Sequence, residues 1–138
     1  NLVEECDNVI ACGPVLLDDG EVVDYSYILD SEEYKMVRQH KFFLTRHPRS
    51  AIGCNAQGEI FLIVADGRFR GRAEGLSIEE LTKVCRWLGM VEAMNLDGGG
   101  SSTLWCKPYG VINHPCDNRK FDNEGERSVS SCLVVKRR

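Results

Sequence analysis

The chain has 138 residues, a net charge of −4 at neutral pH, 43% hydrophobic residues and 28% charged residues. That is one domain's worth of ordinary globular sequence, with room for a single modest core. The acidic balance and the lack of a long basic run exclude a general nucleic-acid binder, and no apolar stretch approaches the ~20 residues that span a bilayer.

Residues 9–17 are apolar apart from Gly13-Pro14. Asp18-Asp19-Gly20 then signals a turn and Glu21-Val22-Val23 resumes an extended pattern, which predicts a β-hairpin. Asp30 is placed to cap a short helix over residues 31–39, with Glu33 at the third helical position. Residues 50–56 and 59–65 read as two strands joined across Gln57-Gly58. The second contains Ile60-Phe61-Leu62-Ile63-Val64, a continuous apolar run expected of a strand covered on both faces.

The clearest helix follows. Ser77 caps it, Glu80 completes a capping box, and Ile78, Leu81, Val84, Cys85 and Leu88 recur at helical spacing before Gly89 stops it. Val91-Glu92-Ala93-Met94 reads as a strand, and Leu104-Trp105-Cys106 and Val111-Ile112-Asn113 flank a turn at Pro108-Tyr109-Gly110. A polar loop over residues 114–127 leads into a predicted final strand over residues 128–135. Hairpins around one strong helix predict an α+β fold, with a mixed or largely antiparallel sheet and one principal packed helix.

Seven cysteines are many for this length, and their odd number leaves at least one unpaired. Cys106 and Cys116 bracket a turn-rich segment and are placed for a local disulfide, whereas Cys54, Cys85 and Cys132 sit in apolar surroundings and read as core residues. The count leans towards an oxidising, extracytoplasmic compartment. No Cys-x-x-Cys occurs and the three histidines share no metal-type spacing with the cysteines, so a structural zinc site is not expected.

The most informative segment is Asn95-Leu96-Asp97-Gly98-Gly99-Gly100-Ser101-Ser102-Thr103, directly behind a predicted strand. Glycines let the backbone come close to a ligand, and successive N–H groups can form a nest for an anion. The run is no P-loop, since no Gly-Lys-Ser/Thr follows, and Gly-x-Ser-x-Gly fails at Thr103. His47 and His114 each precede proline, for which extended backbone is the plain explanation. Further polar clusters close other strands: Arg46-His47-Pro48-Arg49, Asp66-Gly67-Arg68 and Gly125-Glu126-Arg127. Together they offer arginines, whose planar fork suits phosphate, and several carboxylates, which suit glycosyl transfer to water.

In this order the clusters resemble the phosphodiester glycosidase family. The resemblance is carried by Gly13-Pro14, His47-Pro48-Arg49 into Ala51-Ile52-Gly53, Asp66-Gly67-Arg68, Gly75-Leu76-Ser77 ahead of Glu80-Leu81, the nine-residue run, Asn113-x-Pro115 and Gly125-Glu126-Arg127. His47 stands where the family usually has Asn, and no Asn-Gly-Gly-Phe-Phe-like segment is present. Residues 1–138 are therefore expected to form the C-terminal part of a single domain whose N-terminal portion is a needed partner.

The resemblance implies hydrolysis between a sugar's anomeric carbon and a phosphodiester oxygen, releasing an N-acetylglucosamine-like sugar and a phosphomonoester. The substrate is thus a phosphorylated sugar or glycan. Asp97 is the expected nucleophile or base, with Glu126 or Asp66 as second carboxylate. Arg49, Arg68 and Arg127 are expected on the phosphate, with N–H groups of Gly98, Gly99, Gly100 and Ser101. Asn95, Ser101, Ser102 and Thr103 would hold hydroxyls or phosphate oxygens. No cofactor is implied, although a divalent cation between Asp97 and Asp66 stays an alternative. The competing expectation is a non-catalytic module that binds phosphorylated or anionic glycans in polysaccharide assembly.

Overall fold

A computed structural model describes residues 9–32 and 39–136. Its frame is one antiparallel sheet of five strands. They are β1 (Val15–Asp18), β2 (Glu21–Val22), β3 (Arg49–Asn55), β4 (Ile60–Ala65) and β5 (Met90–Asn95), in the spatial order β2-β1-β5-β3-β4. Both predicted hairpins form, β1–β2 across Asp19-Gly20 and β3–β4 across residues 56–59. The helices placed among the described residues are α1 (Ser26–Leu29), α2 (Gln39–Leu44) and α3 (Ile78–Trp87). A two-stranded ribbon, β6 (Trp105–Cys106) with β7 (Gly110–Val111), lies apart from the main sheet. The α+β class and the single principal helix agree with the sequence reading.

Helix α3 forms for the reasons its sequence predicts. The Glu80 N–H donates to Ser77 Oγ at 3.1 Å, and the Ser77 N–H returns a bond to Glu80 Oε2 at 2.9 Å. Its apolar face buries Ile78, Leu81 and Cys85 against Leu16, Leu17, Ala51, Met90 and Ala93 of the sheet. Burial there pushes the Cys85 thiol up to about 11, as expected of a packing residue.

Glu80 also pairs with Arg46, and these contacts hold its carboxyl down at about 2, against an ordinary value of 4.5. A depressed folded-state pKa contributes stability above the unfolded value, and that stability is lost as pH falls from about 4.5 towards 2. Glu80→Ala should therefore cost about 1 kcal/mol at pH 7. The difference from wild type in denaturant unfolding should shrink to nothing near the acid end of that window.

Four expectations are corrected. First, β4 is an edge strand with one face open: Ile60 is 66% exposed and Leu62 37%, although the run is continuously apolar. That face bears an open groove of ≈ 340 Å³ lined by Val15, Ile52, Cys54, Ile60 and Met94, among others. Second, residues 128–135 form no strand, and Leu133, Val134 and Val135 are exposed. Alternation gives a segment a face, but a strand also needs a neighbouring edge to bond its N–H and C=O groups.

Third, Asp30 closes α1 as its C-cap, so it is the end of one helix where the start of another was predicted. Most of that predicted helix, residues 33–38 included, lies outside the described residues. Fourth, Cys106 and Cys116 are both free thiols, and Cys116 Sγ sits 3.6 Å from Arg68 Nη1. Cys132 is exposed, and Cys54 only half-buried because it lies on the open sheet face.

Candidate active site

Strand register gathers the polar clusters. Arg49 pairs with Ala65 and Ala51 with Asn95, so the start of β3 and the C-terminal ends of β4 and β5 share one end of the sheet. Asp66-Gly67-Arg68 and Leu96-Asp97-Gly98 leave the sheet there on either side of β3. Gly67 has no room for a side chain, since a Cβ would lie 2.6 Å from the Pro48 nitrogen and 2.9 Å from Gly75 Cα. The next residue, Arg68, takes φ +67°, left-handed backbone unusual for a non-glycine residue and often found where function constrains the chain.

Asp66 anchors the loop over residues 113–127. Its Oδ1 accepts from Asn113 Nδ2 at 2.9 Å, and both oxygens accept from the His114 N–H at 3.0 and 3.1 Å. Its Oδ2 also lies 2.9 Å from His114 Nδ1. Asn113, itself buried, bridges on to the Ser102 carbonyl and the Leu104 N–H. Phe121 stacks flat on the His114 ring, with centroids 4.0 Å apart and planes within 3°. Asn123 ties this loop back to the Asn113 carbonyl at 2.7 Å.

The glycine run closes into a 3₁₀ turn (Gly99–Ser101) against this loop. A Cβ on Gly100 would lie 2.1 Å from Asp117 Oδ1, and one on Gly99 2.9 Å from Arg68 Nη2. Glycine at these two positions is thus what lets Asp117 and Arg68 reach the turn. Arg127 completes the cluster, donating to Ser101 Oγ at 2.7 Å with Asp117 3.7 Å away. Arg68, Arg127 and Asp117 therefore converge on one half-buried turn, and Asn113 links the Asp66–His114 pair to it through the Ser102 carbonyl.

The turn's backbone is less available than its glycines suggest. The Gly98 N–H donates to Asp97 Oδ1, the Gly99 N–H to the Pro48 carbonyl and the Ser101 N–H to the Gly98 carbonyl. Three of the four N–H groups expected to face an anion are thus already bonded, and the positive charge of the site comes from the two arginines.

Three other expected ligands are buried in contacts within the fold. Arg49 is only 2% exposed. Its guanidinium donates to the carbonyls of Leu76, Phe42 and Thr45 at 2.9, 2.6 and 3.0 Å, and lies 4.5 Å from the Phe42 ring centroid. It closes the C-terminal end of α2, where carbonyls lack helical partners. Asn95 is 1% exposed and spends its Nδ2 on the Gly13 and Leu96 carbonyls, while its Oδ1 has no partner among the described residues. Ser102 is buried too, 3.4 Å from Ser50 Oγ.

Asp97 is exposed and uses one oxygen on the Gly98 N–H. Glu126 is exposed at the far end of the loop, and Thr103 is half-buried. Among the described residues no three His, Cys, Asp or Glu side chains gather as a metal-binding group. No helix there is long and apolar enough to cross a membrane.

Sequence reasoning missed His114, Asp117 and Phe121. His114 and Asp66 lie 48 positions apart, so no local pattern announces their contact. The one available signal was Asn113-His114-Pro115 beside the other clusters. His47 lies nearby, bridged to Leu76; burial, then Arg49 and Arg68, hold its imidazole below the ordinary value.

At one end of an α+β sheet the chain thus gathers two arginines, a glycine turn and a buttressed His–Asp pair. The chain belongs to the phosphodiester glycosidase family, whose model matches residues 2–136. It is 40% identical over 97 residues to the mouse N-acetylglucosamine-1-phosphodiester alpha-N-acetylglucosaminidase, covering 69% of this chain and 18% of the relative. The human protein of the same name is 38% identical over 97 residues, with the same coverage. The catalytic domain of the zebrafish enzyme, solved as auto-inhibited by its pro-peptide, matches at a TM-score of 0.61 and 24% identity. That match covers 77% of this chain and 34% of the other, and it supports the fold. The chain thus spans about a fifth of the length of these curated relatives.

Proposed function

We propose that this chain carries the phosphate-binding side of a site that hydrolyses a sugar-1-phosphodiester at the C1–O bond. The products are a free N-acetylglucosamine-like sugar and a phosphomonoester. The observation that carries this reading is the convergence of Arg68 and Arg127 on the Gly99–Ser101 turn, next to Asp66 and His114. A phosphoryl leaving group is already stable as an anion, so fixed positive charge on its oxygens contributes more than proton donation does. Arg68 and Arg127 supply that charge, and Ser101 orients Arg127.

Asp97, exposed with one oxygen uncommitted to the turn, is the carboxylate facing the anomeric carbon. Asp66 is kept in a supporting role, because Asn113 and His114 occupy both its oxygens. Glu126 stays the alternative second carboxylate. The protein works outside the cytoplasm, a reading supported by its cysteine content. It is completed by a further portion of the same domain, a reading supported by the open apolar face at Ile60 and Leu62.

One observation favours the second reading, a module that binds anionic glycans without cleaving them: Asp66 has no oxygen left for acid–base work. The two separate in one assay, release of free sugar from N-acetylglucosamine-1-phosphate methyl diester by the full-length protein. Release supports hydrolysis; binding without release supports the module. Arg127→Lys keeps the charge but loses the planar fork, and should lower kcat/KM about 10–100-fold if the guanidinium grips phosphate. Near-native kcat/KM would mean that Arg127 only pairs with Asp117.

A further inference from the structure

Asp66 fixes more than the position of His114. An ionised carboxylate can only accept hydrogen bonds, so the 2.9 Å contact between Asp66 Oδ2 and His114 Nδ1 requires the proton on Nδ1. In the neutral ring the lone pair therefore lies on Nε2, which has no hydrogen bond among the described residues. The ring is held three ways: by Asp66, by its own N–H on the same carboxylate, and by the Phe121 face at 4.0 Å. Phe121 is braced in turn, edge-on to Phe69 at 5.1 Å and with Arg72 5.3 Å from its centroid. A half-exposed histidine needs no such restraint for packing alone. The arrangement is that of a base oriented by a carboxylate.

We infer that His114 is the general base of this site, with Asp66 and Phe121 as its positioning residues; this rests on the hydrolytic reading above. As water attacks, an O–C1 bond forms and the C1–O bond to the phosphoryl group breaks, leaving its electron pair on the phosphoryl oxygen. The water proton passes to His114 Nε2, and Asp66 stabilises the resulting imidazolium. The phosphomonoester leaves as an anion between Arg68 and Arg127, and the proton returns to solvent. Asp97 takes no proton in this step and stabilises positive charge at C1.

The test is steady-state release of sugar from the methyl diester by full-length wild type, His114→Ala and His114→Gln, across pH. His114→Ala should lose about 10²–10⁴-fold in kcat with KM changed less than threefold, and added imidazole should restore part of the loss. Wild-type kcat/KM should fall towards acid pH, as for any reaction that needs its general base free. The charged groups facing the ring are Asp66 and Asp122 on one side and Arg72 across Phe121. The Gln variant should lack that acid limb. Because Gln preserves bulk and polarity, it answers the question if the Ala variant fails to fold. An unchanged kcat, or an acid limb that survives in His114→Gln, overturns the role of His114 while leaving the hydrolytic reading intact. No release by wild type overturns both.

Discussion

Replacing Arg49 with Leu should unfold much of the molecule under conditions where wild type is folded. The change strips the partner from three carbonyls, those of Leu76, Phe42 and Thr45, at a site 2% exposed. A buried polar group left unpaired costs about 1–3 kcal/mol, so the loss should exceed about 3 kcal/mol. Against a typical domain stability of about 5–15 kcal/mol that is a large share. The measurement is the denaturant midpoint with its slope. Arg49→Lys should fall between, because an ammonium cannot reach three carbonyls from one plane. A stable Arg49→Leu protein that has lost only phosphate affinity would return this residue to the ligand set.

Asp97→Asn should lower kcat by about 10²–10⁴-fold with little effect on stability. The side chain is exposed, and its one hydrogen bond among the described residues is from the Gly98 N–H. An amide oxygen can still accept that bond, so the turn is expected to persist. What disappears is the negative charge proposed to face the anomeric carbon. The check is single-turnover release of sugar alongside thermal unfolding. A variant with native turnover would confine Asp97 to capping the turn. One with lost turnover and an equally lowered Tm would mark it as structural.

Local chemistry was legible wherever it decides local structure. The Ser77–Glu80 capping box marks the start of α3, and Asp19-Gly20 the β1–β2 turn. Long-range pairing was not. Nothing in Ile60–Ala65 says which strand will lie outside it, so a continuous apolar run was read as a covered strand and became an edge.

The candidate site divides along the same line. The nine-residue run was legible as a close backbone approach, and Gly99 and Gly100 do admit Arg68 and Asp117. The fate of its N–H groups was not, because the Gly99 partner is the carbonyl of Pro48, 51 positions earlier. Arg49 shows how the pattern could have been read better. It shares its strand face with Ala51, which is 1% exposed, so period-two alternation already points it inward.

The central claim is cleavage at carbon rather than at phosphorus, and hydrolysis of the methyl diester in H₂¹⁸O by the full-length protein tests it most directly. Attack of water at C1 leaves every phosphoryl oxygen where it was, so the phosphomonoester should carry no ¹⁸O when read by mass spectrometry. The label found in the phosphomonoester would place the attack at phosphorus and contradict a glycosidase built on Asp97, Arg68 and Arg127.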